Sequence, residues 1–411
     1  MTKLPEEFVR ETKRVMGQER FSRFLGAFSE EAPVSIRLNP KWWRMESGGW
    51  KAVPWCSEGY YLEGRPQFTF DPLFHAGCYY VQEASSMFVS HVLRQLVSEP
   101  VAMLDLCAAP GGKSTAAIAA LPEGSTLVSN EPNPTRAQIL LENITKWGHK
   151  GCTVSNSYPR DFRKARLQYD VILCDVPCSG EGMFRKDPQA IQEWSPQNVE
   201  KCWRLQREIV ADAWECLNPG GLLIYSTCTF NTKENEENVR WIIEEYDAEP
   251  LPIPIEADWN ITGSLLEGFN APVYRFIPGL TRGEGLFMAV LRKSGSLSRK
   301  EEGGRKKENS SANNSHGKNY VMDKHISILL PPFSLLEKGP MTDISYPDAI
   351  RYLRGEALVL PADTPRGIVT LTYHGIPLGP AKNIGNRANN LYPKPWRIKS
   401  THLPTEPPQV L

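Results

Sequence analysis

The chain has 411 residues, and Lys+Arg and Asp+Glu both number 47, so the formal charge is zero. Any hold on a polyanion must then come from local basic patches rather than a global field. No apolar run approaches the roughly 18 residues of a membrane span. The opening MTKLPEEFVRETKRVMGQERF also lacks the apolar stretch of a secretion signal. Nine cysteines in such a chain do not make a disulfide framework, which favours reduced cytoplasmic thiols. Cys174 and Cys178 are spaced Cys-x3-Cys but no second ligand pair follows, so no metal is expected. The length predicts two or three domains.

Residues 1–70 form a helical and aromatic segment in which Trp42, Trp43, Trp50 and Trp55 lie near Arg37, Lys41 and Arg44. Aromatics interleaved with cations can stack bases and hold phosphates. For any single ring, burial in a small core is the simpler explanation. From 71 to 292, strand and helix signals alternate as a doubly wound α/β domain requires. The pattern predicts strands over 101–106, 125–130, 151–155, 170–175 and 221–226. Helices are predicted near 113–120, 134–147, 196–217 and 234–246. Two apolar runs, 273–277 and 286–291, are joined by a Pro/Gly turn and predict a closing antiparallel hairpin.

The first of these strands breaks into LDLCAAPGGKST. It delivers Asp105 and Cys107 to the sheet edge, and Gly111 and Gly112 allow close approach of a ligand to the backbone. The turn is neither GxGxxG nor a P-loop. A helix N-terminus with Lys113 beside it suits the carboxylate of an amino-acid-bearing cofactor. An ordinary strand-to-helix turn would look the same. The second strand ends in Glu131, where an acidic side chain binds ribose hydroxyls in Rossmann-like sites, and Arg136 on the next helix is placed either to brace it or to approach the cofactor. Further on, ILCDVPCSGEGMFRKD carries Asp175 and Cys178, and LLIYSTCTFNTKENEENV carries Cys228. Each cysteine follows a strand, at the edge where α/β sheets build sites. Arg185, Lys186 and Lys233 flank these loops as phosphate-binding candidates or as plain surface charges.

Residues 293–320 are rich in Gly, Ser, Asn and charge and predict a flexible linker. Residues 321–411 carry short apolar strands punctuated by Gly and Pro and predict a small β-rich module.

Two strand-end thiols beside a cofactor turn suit methylation of a pyrimidine at carbon 5. A thiolate that adds to carbon 6 makes carbon 5 nucleophilic, and a second polar group helps the adduct collapse. CAAPGGK, DVPCSGEGMFRKD and YSTCTFNTKENE, in this order over roughly 75–292, resemble the motifs of the Nop/Sun family of RNA cytosine-5 methyltransferases, in particular its bacterial RsmF-like branch. The resemblance implies a Rossmann-like class I methyltransferase sheet between an N-terminal RNA-binding segment and a C-terminal PUA-like domain. It also implies S-adenosyl-L-methionine as cofactor, and Cys228 as nucleophile with Cys178 resolving the adduct. Asp175 would contact the target cytosine or the cofactor. Cofactor contacts would come from Cys107, Ala108, Ala109, Pro110, Gly111, Gly112, Lys113, Glu131, Arg136 and Asp175. Where relatives place an adenine-contacting Asp, this chain has Asn156, with Asp161 as the fallback.

In the tail, Tyr352, Arg354, Gly355, Gly375, Pro377, Leu378 and Gly379 match the PUA-like pattern, whereas Ala388-Asn389-Asn390 replaces a Leu-Lys-Asn. The implied partner is small-subunit ribosomal RNA, with tRNA second, and the implied state a cytoplasmic monomer. Two rivals remain at this stage: Cys178 as nucleophile, as in DNA cytosine methyltransferases, and a non-catalytic RNA-binding assembly factor.

Overall fold

The computed structural model describes residues 4–42, 49–295, 326–329, 339–400 and 402–411. Trp43, Arg44 and the 296–320 part of the expected linker lie outside the described residues.

Helices α1 (Glu6–Met16) and α2 (Gln18–Gly26) open the chain. Strands β1 (Val34–Leu38), β2 (Lys51–Val53), β3 (Cys56–Leu62) and β4 (Tyr79–Val81) follow as an antiparallel sheet in the order β2-β3-β1-β4. β4 carries this unit past the boundary expected at residue 70. Of the aromatic-basic cluster, Trp55 is buried and donates its Nε1–H to the Ala84 carbonyl, and Arg37 is only 1% exposed. Those two are therefore interior groups and not an RNA-facing surface. Lys41 lies over the Trp42 ring at 4.4 Å. The short helices α3 (Pro72–His75) and α4 (Phe88–Leu96) lead into the central domain.

There the order is β5 (Ala102–Asp105), α5 (Gly112–Ala120), β6 (Thr126–Asn130), α6 (Pro134–Trp147), β7 (Cys152–Ser155), α7 (Pro159–Lys164), β8 (Tyr169–Asp175), α8 (Pro188–Glu193), α9 (Pro196–Glu215), β9 (Leu217–Thr227), α10 (Glu236–Tyr246), β10 (Glu249–Pro250), β11 (Tyr274–Phe276) and β12 (Leu286–Arg292). Strands β5 to β9 are parallel, in the order β9-β8-β5-β6-β7, and β12 pairs antiparallel with β9. β13 (Ile328–Leu329) pairs along the β7 edge. β5 has β6 on one side and β8 on the other, so the strand order reverses there. At such a switch point the carboxyl ends of the strands splay and leave a crevice.

Start signals explain why these helices sit where they do. α6 begins with Pro134 behind Asn133, whose side chain accepts the N–H groups of Thr135 and Arg136, and α9 begins with Pro196 behind Ser195. β9 starts earlier than expected. Its Asn218-Pro219-Gly220-Gly221 resembles a strand breaker, yet it is absorbed with a shift of register between Tyr169 and Val171 of β8. Only glycine fits at 221, because a Cβ there would lie 2.9 Å from the Asp170 carbonyl oxygen.

The last unit comprises β14 (Met341–Asp343), α11 (Tyr346–Leu353), β15 (Gly367–Tyr373), β16 (Ile376–Asn383) and β17 (Ala388–Asn390), with its sheet in that strand order. Tyr352 is fully buried and donates to the Pro380 carbonyl at 2.9 Å. A Cβ at Gly379 would strike the Tyr352 hydroxyl at 2.6 Å. Asn390 spends its amide on the carbonyls of Tyr352 and Glu356.

This unit does not stand apart. Ile36, Phe70 and Leu73 of the N-terminal region share one hydrophobic cluster with Ile350, Leu371 and Val410. Tyr346 also donates its hydroxyl to the Phe70 carbonyl at 3.2 Å. Truncating Ile350 to Ala should therefore cost about 2–4 kcal/mol of stability. It should also speed hydrogen exchange in β1 and β4 together with β15. Loosening confined to 341–390 would show that the two units are independent.

Candidate active site

β8 and β9 run parallel, with Asp175 paired to Ser226 at their carboxyl ends. Ser226 donates its hydroxyl to one Asp175 oxygen at 2.6 Å, and Lys113, from the first turn of α5, donates to the other at 2.8 Å. Burial works against the Lys113 ammonium. Asp175, and after it Cys228, more than offset that and hold its pKa above the ordinary value. The two loops leaving these strands bring the Cys178 and Cys228 sulfurs to 3.2 Å, and the Cys228 N–H faces the Cys178 sulfur at 3.4 Å. Both side chains are half-buried. The contact with Cys228, then burial, push the Cys178 thiol well above its usual pKa, so it keeps its proton.

Apart from a 3-10 turn at Glu181–Met183 these loops are irregular, and two buried glutamates satisfy their backbone reciprocally. Glu181, on the Cys178 loop, accepts the N–H groups of Phe230 and Asn231 at 2.7 and 3.0 Å. Glu234, from the Cys228 loop, accepts the Ser179 N–H at 3.0 Å and the Gln206 amide at 2.7 Å. The Asn231 amide donates to both carboxylates. The Cys228 carbonyl accepts the Gly182 N–H at 2.7 Å, and a Cβ on Gly182 would sit 2.6 Å from that oxygen. Burial, and secondarily Glu181, raise the Glu234 pKa to about 7. Behind the loop, Arg275 is paired with Glu236 in the interior and donates to the Phe230 carbonyl at 2.8 Å. From the N-terminal side, the rings of Phe8 and Phe24 pack on Phe184 and Phe230 at 4.9 and 5.0 Å. The sequence reasoning passed over Glu181, Glu234, Glu236 and Arg275. The first three stand inside the motifs SGEG and KENE, where acidic residues recur among small polar ones.

The flanking cations are committed internally. Arg185 lies 3.3 Å from the buried Glu284 carboxylate, and Lys186 lies 4.0 Å from it. Lys233 is paired with Glu200 and covers the Trp203 ring at 4.8 Å.

The Gly-rich turn is tied to both neighbours. Gly111 adopts φ +109 at the N-cap of α5, and a Cβ there would press on Leu140 at 3.1 Å. The Ala108 N–H donates to the Asn130 carbonyl at 2.7 Å, and Asn143 donates to the Pro110 carbonyl at 2.8 Å. Arg136 donates to the Ala109 carbonyl at 2.8 Å and lies 3.4 Å from Glu131, so it braces both. Glu131 is nearly buried and accepts the Asn133 N–H. Asn156 gives its amide to the carbonyls of Glu131 and Pro132, which ties the end of β7 to the end of β6. Asp161 accepts the Tyr158 N–H as a helix cap and stands apart from this chain of contacts.

Asp105 is fully buried. One oxygen accepts the Ser114 hydroxyl at 2.7 Å, whereas the other has no hydrogen-bond partner. Burial raises its pKa to about 7. Cys107, beside it, is pushed well above the ordinary thiol value, also mainly by burial. Thus Cys178, Cys228, Asp175 and Lys113 meet at one point, and Asp105, the 107–113 turn, Glu131, Arg136 and Asn156 continue from it along the sheet edge. Among the described residues no cluster of His, Cys, Asp and Glu could hold a metal ion.

A family model described as 16S rRNA methyltransferase RsmB/F matches residues 94–292. The N-terminal domain of 16S rRNA methyltransferase RsmF matches residues 4–84, and the methyltransferase RsmF PUA domain matches 340–398. The chain is 37% identical over 259 residues to the ribosomal RNA small subunit methyltransferase F of Cronobacter sakazakii, covering 61% of this chain and 53% of that protein. To the protein of the same name from Pectobacterium atrosepticum it is 32% identical over 319 residues, covering 72% and 63% respectively. It therefore spans between 53% and 63% of the length of these two relatives. Among solved structures, a methyltransferase homolog protein from Pyrococcus horikoshii aligns with a TM-score of 0.57 at 24% identity, over 71% of this chain and 100% of that one. NSun6 from the same organism, solved with SFG, gives 0.59 at 22%, over 71% and 99%. These two share the fold. With three models matched in chain order, the middle one on the methyltransferase sheet, the chain belongs to the RsmB/F methyltransferase family and carries the N-terminal and PUA domains of its RsmF branch.

Proposed function

We propose that this chain is an S-adenosyl-L-methionine-dependent RNA cytosine-5 methyltransferase that acts on small-subunit ribosomal RNA through a covalent Cys228 adduct. The observation that carries the reading is two sulfurs 3.2 Å apart beside the Lys113–Asp175 pair, at the carboxyl edge of a parallel sheet. The names of the curated relatives and the PUA match support ribosomal RNA as the partner. The neighbour solved with SFG, an analogue of the methyl donor, supports the cofactor.

The residues at the sheet edge fit such a cofactor. The bare, buried Asp105 oxygen suits the ammonium of its amino-acid part, and the N–H groups at the start of α5 suit its carboxylate. When bound, the cofactor supplies an electrophilic methyl group to carbon 5. Cys228 Sγ forms a bond to carbon 6 and leaves the ring electron-rich at carbon 5. Lys113 keeps a positive charge next to that sulfur. Asp175, its oxygens already oriented by Ser226 and Lys113, retains lone pairs for the amino group of the cytosine. Once carbon 5 is methylated its proton passes to solvent water, the C5–H electron pair re-forms the C5–C6 double bond, the S–C6 bond breaks, and its electron pair returns to Cys228. Cys178 is the polar group within reach of that collapse.

Cys178→Ala should trap a cofactor-dependent RNA adduct that survives a denaturing gel and should lower turnover at least ~100-fold. Cys228→Ala should form no adduct at all. The opposite pattern would move the nucleophile to Cys178, and label entering tRNA but not small-subunit RNA would remove the assigned substrate.

The Asp105 pKa near 7 gives a second test. A bound ammonium favours the carboxylate, so binding releases a proton, and cofactor affinity should rise about tenfold between pH 6 and 8. Calorimetry in two buffers of different ionisation enthalpy measures the released proton. Asp105→Asn should abolish the dependence, and an unchanged slope would place the ammonium elsewhere.

A further inference from the structure

Among the described residues Arg37 and Arg275 are the largest fully buried side chains, yet Arg37 belongs to the N-terminal sheet and not to the methyltransferase domain. Its Nε–H donates to the Gln82 side chain at 2.8 Å, and its face stacks on the Trp147 ring at 4.3 Å. Gln82 is itself pinned to β1, because its carbonyl accepts the Ser35 hydroxyl at 2.6 Å. One terminal nitrogen, Nη2, crosses into the central domain. It donates to Thr115 Oγ1 at 2.6 Å and approaches the Gly112 carbonyl at 3.4 Å. Thr115 Oγ1 lies in turn 2.9 Å from the Gly111 carbonyl. The guanidinium therefore grips the first turn of α5, the one that carries Lys113.

This is a costly way to join two domains. Among the described residues no carboxylate lies within ion-pair distance of Arg37, and its Nη1 has no hydrogen-bond partner. A buried, unpaired cation opposes folding unless its other contacts offset the desolvation. Apolar packing would close the same seam more stably, so the choice of arginine points to a demand on geometry. The demand is local. Gly111 and Gly112 have no side chains to hold their own conformation, and a Cβ at Gly112 would already touch Tyr80 at 3.3 Å. Arg136 and Asn143 hold the 109–110 side of the turn, and Arg37 is the contact from the N-terminal sheet on its Gly112 side.

We infer that Arg37 is a positioning residue that acts through Thr115 and the Gly112 carbonyl to hold the 111–113 turn in the shape that receives the cofactor, so that the N-terminal sheet completes the cofactor site. The inference rests on the methyl-donor reading above. It is tested by Arg37→Lys, which keeps the charge but loses the fork, and by Thr115→Val, which removes the hydroxyl that accepts from Arg37 and donates to the Gly111 carbonyl. Cofactor Kd is measured by calorimetry on the full chain, RNA Kd by filter binding, and amide exchange over residues 111–116 without cofactor. Arg37→Lys should raise the cofactor Kd about tenfold and Thr115→Val several-fold. RNA Kd should stay within twofold, and amide exchange in the turn should accelerate in both variants.

A purely structural role would lower the melting temperature and leave the cofactor Kd of the folded protein unchanged; that result would overturn the proposal. Loss of RNA and cofactor affinity in equal measure would overturn it as well. Wild-type protein that binds no cofactor would sink the enzymatic reading and this inference with it. Normal wild-type binding with unaffected variants would sink the inference alone.

Discussion

The lateral pairing of β8 with β9 is the constraint from which the rest follows. Parallel neighbours in register end at the same height, and the pair Asp175–Ser226 marks that height. Three residues past Asp175 and two past Ser226, the chain presents Cys178 and Cys228. A slip of one residue would turn Ser226 to the opposite face and separate it from the Asp175 oxygen it now meets at 2.6 Å. Both strands are apolar and buried over most of their length, and slippage would expose that surface. The position of the two sulfurs is thus set by the hydrophobic pattern of the strands that precede them.

Around that point the structure gathers carboxylates in an interior that disfavours charge, and each is handled differently. Glu181 is satisfied by two backbone N–H groups and the Asn231 amide. Glu236 has the Arg275 guanidinium, and Asp175 has Lys113. Glu234 and Asp105 are left with pKa values near 7 because burial outweighs their hydrogen bonds. The difference is one of role. Irregular loops have orphan N–H groups that must be met, and a carboxylate meets several at once. Asp105 has one oxygen facing no partner, which is how a group held for something else would look.

Much of this was legible in the sequence. Strands β5 to β8 and helices α5, α6 and α9 stand within a few residues of their expected bounds, because apolar runs and Pro-bearing caps mark both. β9 and α10 differ for local reasons. A Pro-Gly-Gly segment was taken into a strand at a register shift, and α10 starts late because the Glu234 side chain is held by the Cys178 loop. The thiols, Asp175 and the Gly-rich turn were visible because motif spacing places them at strand ends. The glutamate staples were not, since a buried Glu and an exposed Glu are the same letter, and only the partner loop tells them apart. The same holds for Arg37, Arg185 and Lys233. A cation near aromatic residues suggests a nucleic-acid surface, whereas here each is occupied within the fold.

The shared cluster of the N-terminal sheet and the β14–β17 unit bears on how the molecule is made. Ile36 and Phe70 emerge early in synthesis, but the side chains that cover them, from Ile350 to Val410, are added some three hundred residues later. Until then those early rings and aliphatic groups stay wet, and closing so long a loop is slow. During elongation the methyltransferase sheet in the middle can mature first, leaving the outer two units to clasp one another as the final step.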